Sequence, residues 1–186
     1  MRKLREAIVA SARTDMFALR VYVFVIRVTM LTGHMESYHP ALLHLLRHIH
    51  PRNPLSDSEL QDFIGFYILD LACRQNDLAA AYRARYLYGY RDAKVERILQ
   101  ALVHGDWWAY WRLEGMMDRY QQQLMKWGDD GMRKHVLKCL GQSYLTVEKT
   151  YLERTTRRTW EELKKRDGMT WQLEGQTVTI RKIKRK

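Results

Sequence analysis

The sequence predicts a mainly α-helical protein, in which a stack of helical hairpins similar to tetratricopeptide repeats precedes a C-terminal winged helix with a β-hairpin. Apolar residues recur at helical spacing along most of the chain, and only 10 Gly and 3 Pro interrupt its 186 residues. Alternation of apolar and polar residues, which is typical of strands, is confined to the C-terminal end. We therefore assign residues 1–131 to the helical stack and residues 132–186 to the winged helix with a basic tail.

The most apolar stretch of the chain is predicted to be a buried helix over residues 16–31. It contains Arg20 and Arg27, whose long side chains can carry their charges to the surface. A helix that crosses a bilayer needs about 20 predominantly apolar residues with few charges. The same arginines interrupt the apolar run that a signal peptide requires. We expect no membrane partner.

Capping patterns define the next helices. Ser56 and Glu59 form a capping-box pattern that starts a helix near Asp57, and either Asn76 or Asp77 caps the helix after it. The predicted helices cover residues 57–72, 78–88, 93–104 and 107–127. The short connections between them place consecutive helices antiparallel. No clean repeat of about 34 residues is present, so the stack is at most a degenerate tetratricopeptide array.

The residues after 131 predict three short helices and then a hairpin, which is the element order of a winged helix. The first two helices are expected at residues 132–142 and 147–154. The N-cap of the third helix is Thr155 or Thr156, or alternatively Thr159 one turn later. Few small units end an all-helical chain with a single hairpin, so this order of elements is informative.

The hairpin is predicted over residues 170–181. Trp171 and Leu173 alternate with polar residues, as do Val178 and Ile180. Between these runs, Gly175 can adopt the positive φ that a tight hairpin turn needs.

Three local patterns resemble PCI domains, which occur in the proteasome lid, the signalosome, translation initiation factor 3 and the mRNA-export scaffolds related to GANP. Residues 100–113 (QALVHGDWWAYWRL) resemble the family's helix pair, in which a small residue ends one helix and aromatic residues begin the next. Residues 171–180 (WQLEGQTVTI) resemble its closing hairpin. The segment that leads into the family's winged helix has a pattern that is resembled here by Arg133, Leu137, Leu140, Ser143 and Tyr144.

The resemblance covers about residues 55–183 and is nearest to the compact members of the family. These are signalosome subunit 8, proteasome lid subunit 12 and initiation factor 3 subunit k, together with the GANP-like proteins. It implies a non-enzymatic scaffold that acts by binding. Residues 1–50 match no pattern of the family, and the basic tail departs from the ordinary complex subunits.

Basic residues are concentrated at the C-terminal end. The chain carries 32 Lys and Arg against 21 Asp and Glu, a formal net charge of +11, and residues 154–186 alone carry 11 against 4, or +7. Such asymmetry indicates a polyanionic partner, because phosphates are attracted to cationic surfaces whatever the base sequence. We predict that nucleic acid, RNA in preference to DNA, binds through Arg154, Arg157, Arg158, Lys164, Lys165, Arg181, Lys182, Lys184, Arg185 and Lys186.

The placement of these residues follows from analogy with other winged helices. Their third helix often enters a groove and the wing contacts the backbone. Arg157 and Arg158 are expected to begin the third helix, and Arg181 and Lys182 to end the wing. Two other interpretations stay open: part of the charge could belong to a solvated helix face with i,i+4 ion pairs, and residues 183–186 could form a disordered tail or a nuclear localisation signal.

Aromatic residues are crowded at Trp107, Trp108, Tyr110 and Trp111. A helix cannot direct all four to the interior, so one or two are expected to face a groove, a partner or solvent. An exposed ring could stack on bases of RNA or of a single strand, although packing in the core is the more common role of an aromatic residue.

No enzyme, metal site or cofactor is predicted. The chain has no phosphate-binding loop, dinucleotide motif or nucleophile elbow. His44 and His48 have zinc-binding spacing, but Leu45 stands where a metalloprotease needs Glu. Cys73 and Cys139 are interpreted as core residues, and two cysteines are too few for a disulfide framework. We expect a reducing location, nuclear or cytoplasmic.

The alternative function is a structural subunit of a PCI complex of the lid, signalosome or initiation-factor type. The resemblance implies that winged helices in these assemblies pair edge to edge. The wing strand at residues 176–180 would then offer an open edge to a neighbouring subunit.

Overall fold

The computed structural model describes residues 2–181, and it is mainly helical with a small antiparallel sheet at the C-terminal end. The helices within this range are α1 (Arg2–Ala10), α2 (Met16–Leu31), α3 (Met35–His44), α4 (Asp57–Leu69), α5 (Leu78–Leu87), α6 (Ala93–His104), α7 (Trp107–Glu114), α8 (Arg119–Met125), α9 (Asp129–Ser143), α10 (Lys149–Thr156) and α11 (Trp160–Arg166). The strands are β1 (Thr146–Glu148), β2 (Gln172–Glu174) and β3 (Thr177–Thr179). The predicted fold class is confirmed at this level of description.

Side-chain caps fix most of the helix starts. The Ser56 hydroxyl accepts a hydrogen bond from the Glu59 amide, so α4 begins at Asp57 as predicted. The Asp77 carboxylate caps α5, which settles the choice between residues 76 and 77. Asp92 caps α6 with two hydrogen bonds, and Gly105 follows its last residue with φ of +64°, the left-handed conformation that favours glycine.

Two predicted boundaries in the middle of the chain are wrong. Residues 107–127 form two helices, because α7 ends at Glu114 and a capping box of Asp118 and Gln121 starts α8 four residues later. Residues 128–131 were left between the helices predicted at residues 107–127 and 132–142, but α9 already begins at Asp129. The predicted division of the chain after residue 131 therefore falls inside the first turn of α9.

Consecutive helices pack in pairs. Helix α2 lies against α3, α4 against α5 and α6 against α7, and α8 contacts both α2 and α4. The predicted buried helix is α2, with Arg20 exposed at its surface and Arg27 Nη2 3.8 Å from Glu59 Oε1. One continuous core runs from Ile8 in α1 to Val178 in β3. None of the helices between residues 2 and 181 is long and apolar enough to cross a membrane.

A buried carboxylate lies where α4 runs into one π-helical turn, residues Asp70–Arg74. Asp70 is fully buried. It accepts hydrogen bonds from Arg74 Nε and Nη2 at 2.6 and 2.7 Å, from Gln75 Nε2 at 2.8 Å, and from the Tyr38 hydroxyl. This network joins α3 to the end of α4 and satisfies the carboxylate inside the core.

The C-terminal sheet has the strand order β1-β3-β2, with β3 paired antiparallel on both sides. The predicted hairpin is β2 and β3, and Gly175 in its turn has φ of +64°. Strand β1 was not expected, because residues 146–148 were predicted to lie at the junction of a loop and the helix at residues 147–154. Since β3 is the central strand, the expectation that residues 176–180 offer an open edge is wrong.

Helix α11, which precedes the hairpin, starts later than a cap at Thr155 or Thr156 would place it. Thr155 and Thr156 are the last two residues of α10, and Arg157 follows them in a left-handed conformation with φ of +53°. Thr159 caps α11 instead, in a capping box with Glu162. Arg157 and Arg158 therefore lie in the turn before α11, and the expectation that they begin this helix is wrong.

Candidate nucleic-acid interface

The predicted basic residues do not share one environment. Arg154 is exposed on α10, Lys164 and Lys165 are exposed on α11, and Arg181 is exposed just after β3. Arg157 and Arg158 contact acidic residues of other elements. The remaining predicted residues, Lys182, Lys184, Arg185 and Lys186, lie outside the described part of the chain.

Arg158 links the start of α9 to the end of α11 within the C-terminal unit, residues 129–181. Its guanidinium donates to Asp167 Oδ2 and to Asp130 Oδ1, both at 2.9 Å, and only 15% of its side chain is exposed. Burial alone would lower the pKa of Arg158, but the hydrogen bond and charge of Asp167 outweigh burial and raise this pKa. Two carboxylates thus already bind this cation, and its position argues against the predicted role as a phosphate contact.

Arg157 is held on the helical stack but stays half exposed. Its Nη1 donates to Glu114 Oε2 at 2.8 Å and its Nη2 donates to the Trp111 carbonyl at 2.9 Å. The guanidinium carbon lies 5.4 Å from the centre of the Trp111 ring, within cation–π range. With 47% of its side chain exposed, Arg157 can still offer donors to a ligand.

A cleft of about 580 Å³ separates α7 from the end of α10. Three arginines line it: Arg112 from α7, Arg154 from α10, and Arg157. No acidic residue between positions 2 and 181 forms an ion pair with Arg112 or Arg154, and the nearest ring contact of Arg154 is Tyr151, 5.9 Å away. Two uncompensated cations from distant parts of the sequence therefore face one concave surface.

The crowded aromatic segment contributes to this cleft. Tyr110 is fully buried and Trp111 is 4% exposed, whereas Trp108 is 53% exposed and lines the cleft. The expectation that one or two of these rings point away from the core is confirmed. Arg112 lies four positions after Trp108, so both residues project from the same face of α7.

Two of the other predicted residues, Lys164 and Arg181, have local partners. The Lys164 ammonium lies 5.5 Å from the centre of the Trp160 ring on the same helix. The Glu162 carboxylate accepts from the Thr159 amide and hydroxyl, which lowers the pKa of Glu162. Arg181 Nη2 donates to the Gln142 carbonyl at 2.9 Å and so joins the end of β3 to the end of α9.

A buried arginine links the end of α10 to α9. Arg133 of α9 is 5% exposed. Its Nε donates to the Thr156 carbonyl at 3.0 Å and its Nη1 donates to Asp130 Oδ1 at 2.7 Å. Asp130 therefore binds both Arg133 and Arg158, and this group ties the end of α10 to the start of α9.

The neighbouring Asp129 has an unusual protonation equilibrium. Burial raises the pKa of its carboxyl to about 6, and the charge of Glu114 adds to this effect. The hydrogen bond from Trp111 Nε1, at 3.4 Å, and the charges of Arg133 and Arg157 lower the pKa again, but they do not offset burial. Ionisation of Asp129 is therefore less favourable in the folded protein than in the unfolded chain.

Replacing Asp129 by asparagine is expected to stabilise the protein at pH 7.5 but not at pH 4. The folded-state pKa of about 6 exceeds the ordinary value of 3.8, so the folded state binds the proton more tightly and stability falls as the pH rises from about 4 to 6. The asparagine side chain has no charge to bury, and after allowance for partial exposure the gain is on the order of 1 kcal/mol. Thermal unfolding of both proteins across this pH range measures it.

The matched control for that experiment is Asp130→Asn. Asp130 is a mainly exposed carboxylate that accepts from two arginines, so its replacement should destabilise the protein at pH 7.5. If Asp129→Asn instead lowers the melting temperature more at pH 7.5 than at pH 4, the assignment of a raised pKa is wrong.

The histidines and cysteines within residues 2–181 form no metal-binding cluster. The rings of His44 and His48 pack on each other with centroids 4.9 Å apart, and His44 stacks on Tyr22. Over the described range there is no cluster of three or more His, Cys, Asp or Glu that could hold a metal ion. Cys73 is buried as expected, but Cys139 is only partly buried, so its assignment to the core is wrong.

No known protein family matches the chain, and no curated protein is similar to it.

Proposed function

We propose that this protein is a non-enzymatic PCI-type scaffold that binds nucleic acid, RNA in preference to DNA, through the basic side of a C-terminal winged helix. The order of the last elements, α9, β1, α10, α11, β2 and β3, supports the winged helix, because β1 pairs with the last strand and completes a three-stranded sheet behind the helices. The packing of consecutive helices in pairs supports the tetratricopeptide-like stack before it. A nuclear or cytoplasmic location belongs to the same proposal.

One observation carries the nucleic-acid part of this proposal. Arg112 and Arg154, which are 42 positions apart in the sequence, line one cleft without ion-pair partners in the described structure. Unpaired arginines in a shared concavity concentrate positive potential, because the protein walls screen the charges less than bulk water does. Their planar guanidinium groups fit the oxygens of a phosphate better than lysine does.

The mechanism is electrostatic docking with little reading of base sequence. Phosphates that enter the cleft displace condensed counterions, and this release supplies most of the free energy of binding. Lys164, Lys165 and Arg181 are exposed elsewhere on the same C-terminal unit, where they add to its positive charge. Arg158 and Arg133 contribute by holding α10 in place, and they do not contact the ligand.

Charge reversal tests this proposal. Arg112→Glu combined with Arg154→Glu is expected to weaken binding of a labelled RNA by about tenfold or more, since each reversal replaces an attraction to phosphate by a repulsion. The matched control is Arg20→Glu with Arg83→Glu, two exposed arginines on α2 and α5 whose reversal changes the net charge equally. Fluorescence anisotropy at constant salt gives both affinities. Equal losses in the two double variants would mean that only net charge matters and would refute the cleft as the interface.

A second candidate function is the structural subunit of a PCI complex. Tyr86 and Leu87 favour it, because they are 86% and 72% exposed at the end of α5, and adjacent exposed apolar side chains are typical of protein contacts. The available sheet edges are those of β1 and β2. If this function is correct, a stoichiometric set of PCI-type proteins copurifies with the protein after nuclease treatment. The same proteins no longer copurify when Tyr86→Ser and Leu87→Ser are combined. Loss of all partners upon nuclease treatment would refute it.

A further inference from the structure

We infer that the cleft between α7 and α10 is a subsite for one nucleotide of a single-stranded RNA, whose base stacks on Trp108 while its phosphate lies between Arg112 and Arg154. This inference rests on the proposed function and specifies the ligand of the same surface. Four features of the cleft support it: its size, the exposed indole, an unpartnered hydroxyl and one carboxylate among the arginines.

The cleft has the size of a site for a small ligand. Its volume of about 580 Å³ lies within the range of roughly 300–1,000 Å³ that is typical of pockets for small molecules and cofactors. A nucleotide in a single strand can turn its base out into such a space. In a double helix the bases are stacked and paired inside, so a duplex could present only its backbone to the cleft.

Trp108 offers a face on which a base can stack. Its side chain is 53% exposed, and no aromatic ring or cation of the described chain packs on it. Exposing so large an apolar surface is unfavourable in an isolated protein, and a stacked base would cover it. Base–aromatic stacking tolerates any base, which agrees with binding that depends little on sequence.

Thr155 provides a polar group without a partner. This residue of α10 lines the cleft between Arg154 and Arg157, is 1% exposed, and its hydroxyl has no hydrogen-bond partner in residues 2–181. The adjacent Thr156 behaves differently, since its hydroxyl donates to the Leu152 carbonyl at 2.8 Å. A buried hydroxyl that makes no hydrogen bond is unfavourable, and rotation of the Thr155 side chain toward the cleft would let the hydroxyl donate to a phosphate oxygen bound there.

The one carboxylate that the described residues place in the cleft favours a ribose over a second phosphate. Asp106 caps α7 through Oδ1, which accepts from the Ala109 amide at 3.0 Å. Arg157 is already paired with Glu114, so Asp106 against Arg112 and Arg154 leaves a net charge of about +1, which suits one phosphate. Its second oxygen can accept a hydrogen bond from a ribose 2′-hydroxyl, a donor that DNA lacks.

Four ligands distinguish this inference from the proposed function. The wild-type protein is titrated into fluorescein-labelled oligouridylate of about twelve nucleotides, with oligodeoxyuridylate, an RNA duplex of equal length and free uridine monophosphate as competitors. The oligouridylate is expected to bind about tenfold more tightly than the duplex and several-fold more tightly than the DNA strand. Free nucleotide should compete only at far higher concentration, because it forms a single set of contacts. If uridine monophosphate displaces the labelled oligouridylate at a concentration similar to that of unlabelled oligouridylate, the site does not select a strand and the inference is overturned.

Trp108→Ala measures the stacking contribution. It is expected to weaken binding of the oligouridylate by about tenfold and to leave binding of the duplex unchanged. Phe24→Ala is the matched control, because Phe24 is an exposed ring on α2, 58% exposed and far from the cleft in sequence. If the oligouridylate binds but Trp108→Ala binds it normally and the duplex competes equally, the inference is wrong and the proposed function stands. If no RNA binds at low salt, both are wrong.

Thr155→Val separates a role in binding from a role in folding. Valine has nearly the same shape and lacks the hydroxyl. We expect RNA affinity to fall about threefold, while the melting temperature stays constant or rises because an unsatisfied buried group is removed. Unchanged affinity, or a loss of affinity that parallels a loss of stability, would contradict the proposed contact.

Discussion

Replacing Asp70 by alanine is expected to lower the free energy of unfolding by about 3–5 kcal/mol. The carboxylate is fully buried and is the common acceptor for Arg74, Gln75 and Tyr38. Its removal leaves the partly buried Arg74 guanidinium and the Tyr38 hydroxyl without an acceptor, and uncompensated polar groups in the interior are costly. Denaturant unfolding monitored by circular dichroism measures the change.

Two further substitutions keep this prediction testable if Asp70→Ala does not fold. Asp70→Asn retains the shape and one acceptor oxygen, so a smaller loss is expected. Asp77→Ala is the matched control in the same region, because Asp77 is an exposed N-cap of α5 whose loss should cost about 1 kcal/mol. Equal losses for Asp77→Ala and Asp70→Asn would show that the buried network contributes no more than an ordinary cap.

The second large effect is expected for Arg133→Met, with a loss of about 2–4 kcal/mol in the free energy of unfolding. Methionine fills a similar volume but removes the donors that bind the Thr156 carbonyl and Asp130. The carbonyl at the end of α10 then lacks a partner in a buried position. Lys134→Met is the control, since Lys134 is the next residue on α9 and is exposed. If both variants unfold at the same denaturant concentration, Arg133 does not hold α10 in place.

Helices with clear caps could be predicted from the sequence, and helices whose ends depend on distant contacts could not. Both ends of α6 follow from Asp92 before it and Gly105 after it. The break between α7 and α8 was missed because the apolar residues 116 and 117 continue the helical pattern, although Asp118 and Gln121 do form a readable capping box. Strand β1 has only three residues and is defined by its pairing with β3, about 30 positions later.

The residues of the cleft could be predicted only in part, because some of their contacts join positions that are distant in the sequence. Charge counting selected Arg154 and Arg157, which do line the cleft. It could not reveal that Arg157 pairs with Glu114, 43 positions earlier, or that Arg158 pairs with Asp130, 28 positions earlier. Arg112 was missed because only the tertiary fold places it, from α7, on the same cleft as Arg154. Its position one helical turn after Trp108 was the available signal, since the two side chains share a face.

The salt dependence of RNA binding tests the central claim most directly. The affinity of the wild-type protein for single-stranded oligouridylate is measured between about 50 and 200 mM salt, together with that of the Arg112→Glu, Arg154→Glu double variant. We expect the wild-type affinity to fall steeply, with a logarithmic slope of about −0.7 for each phosphate neutralised, and the variant slope to be shallower by about 1.4 because two phosphate contacts are lost. Undetectable binding at the lowest salt, binding that does not respond to salt, or identical slopes for the two proteins would contradict the account.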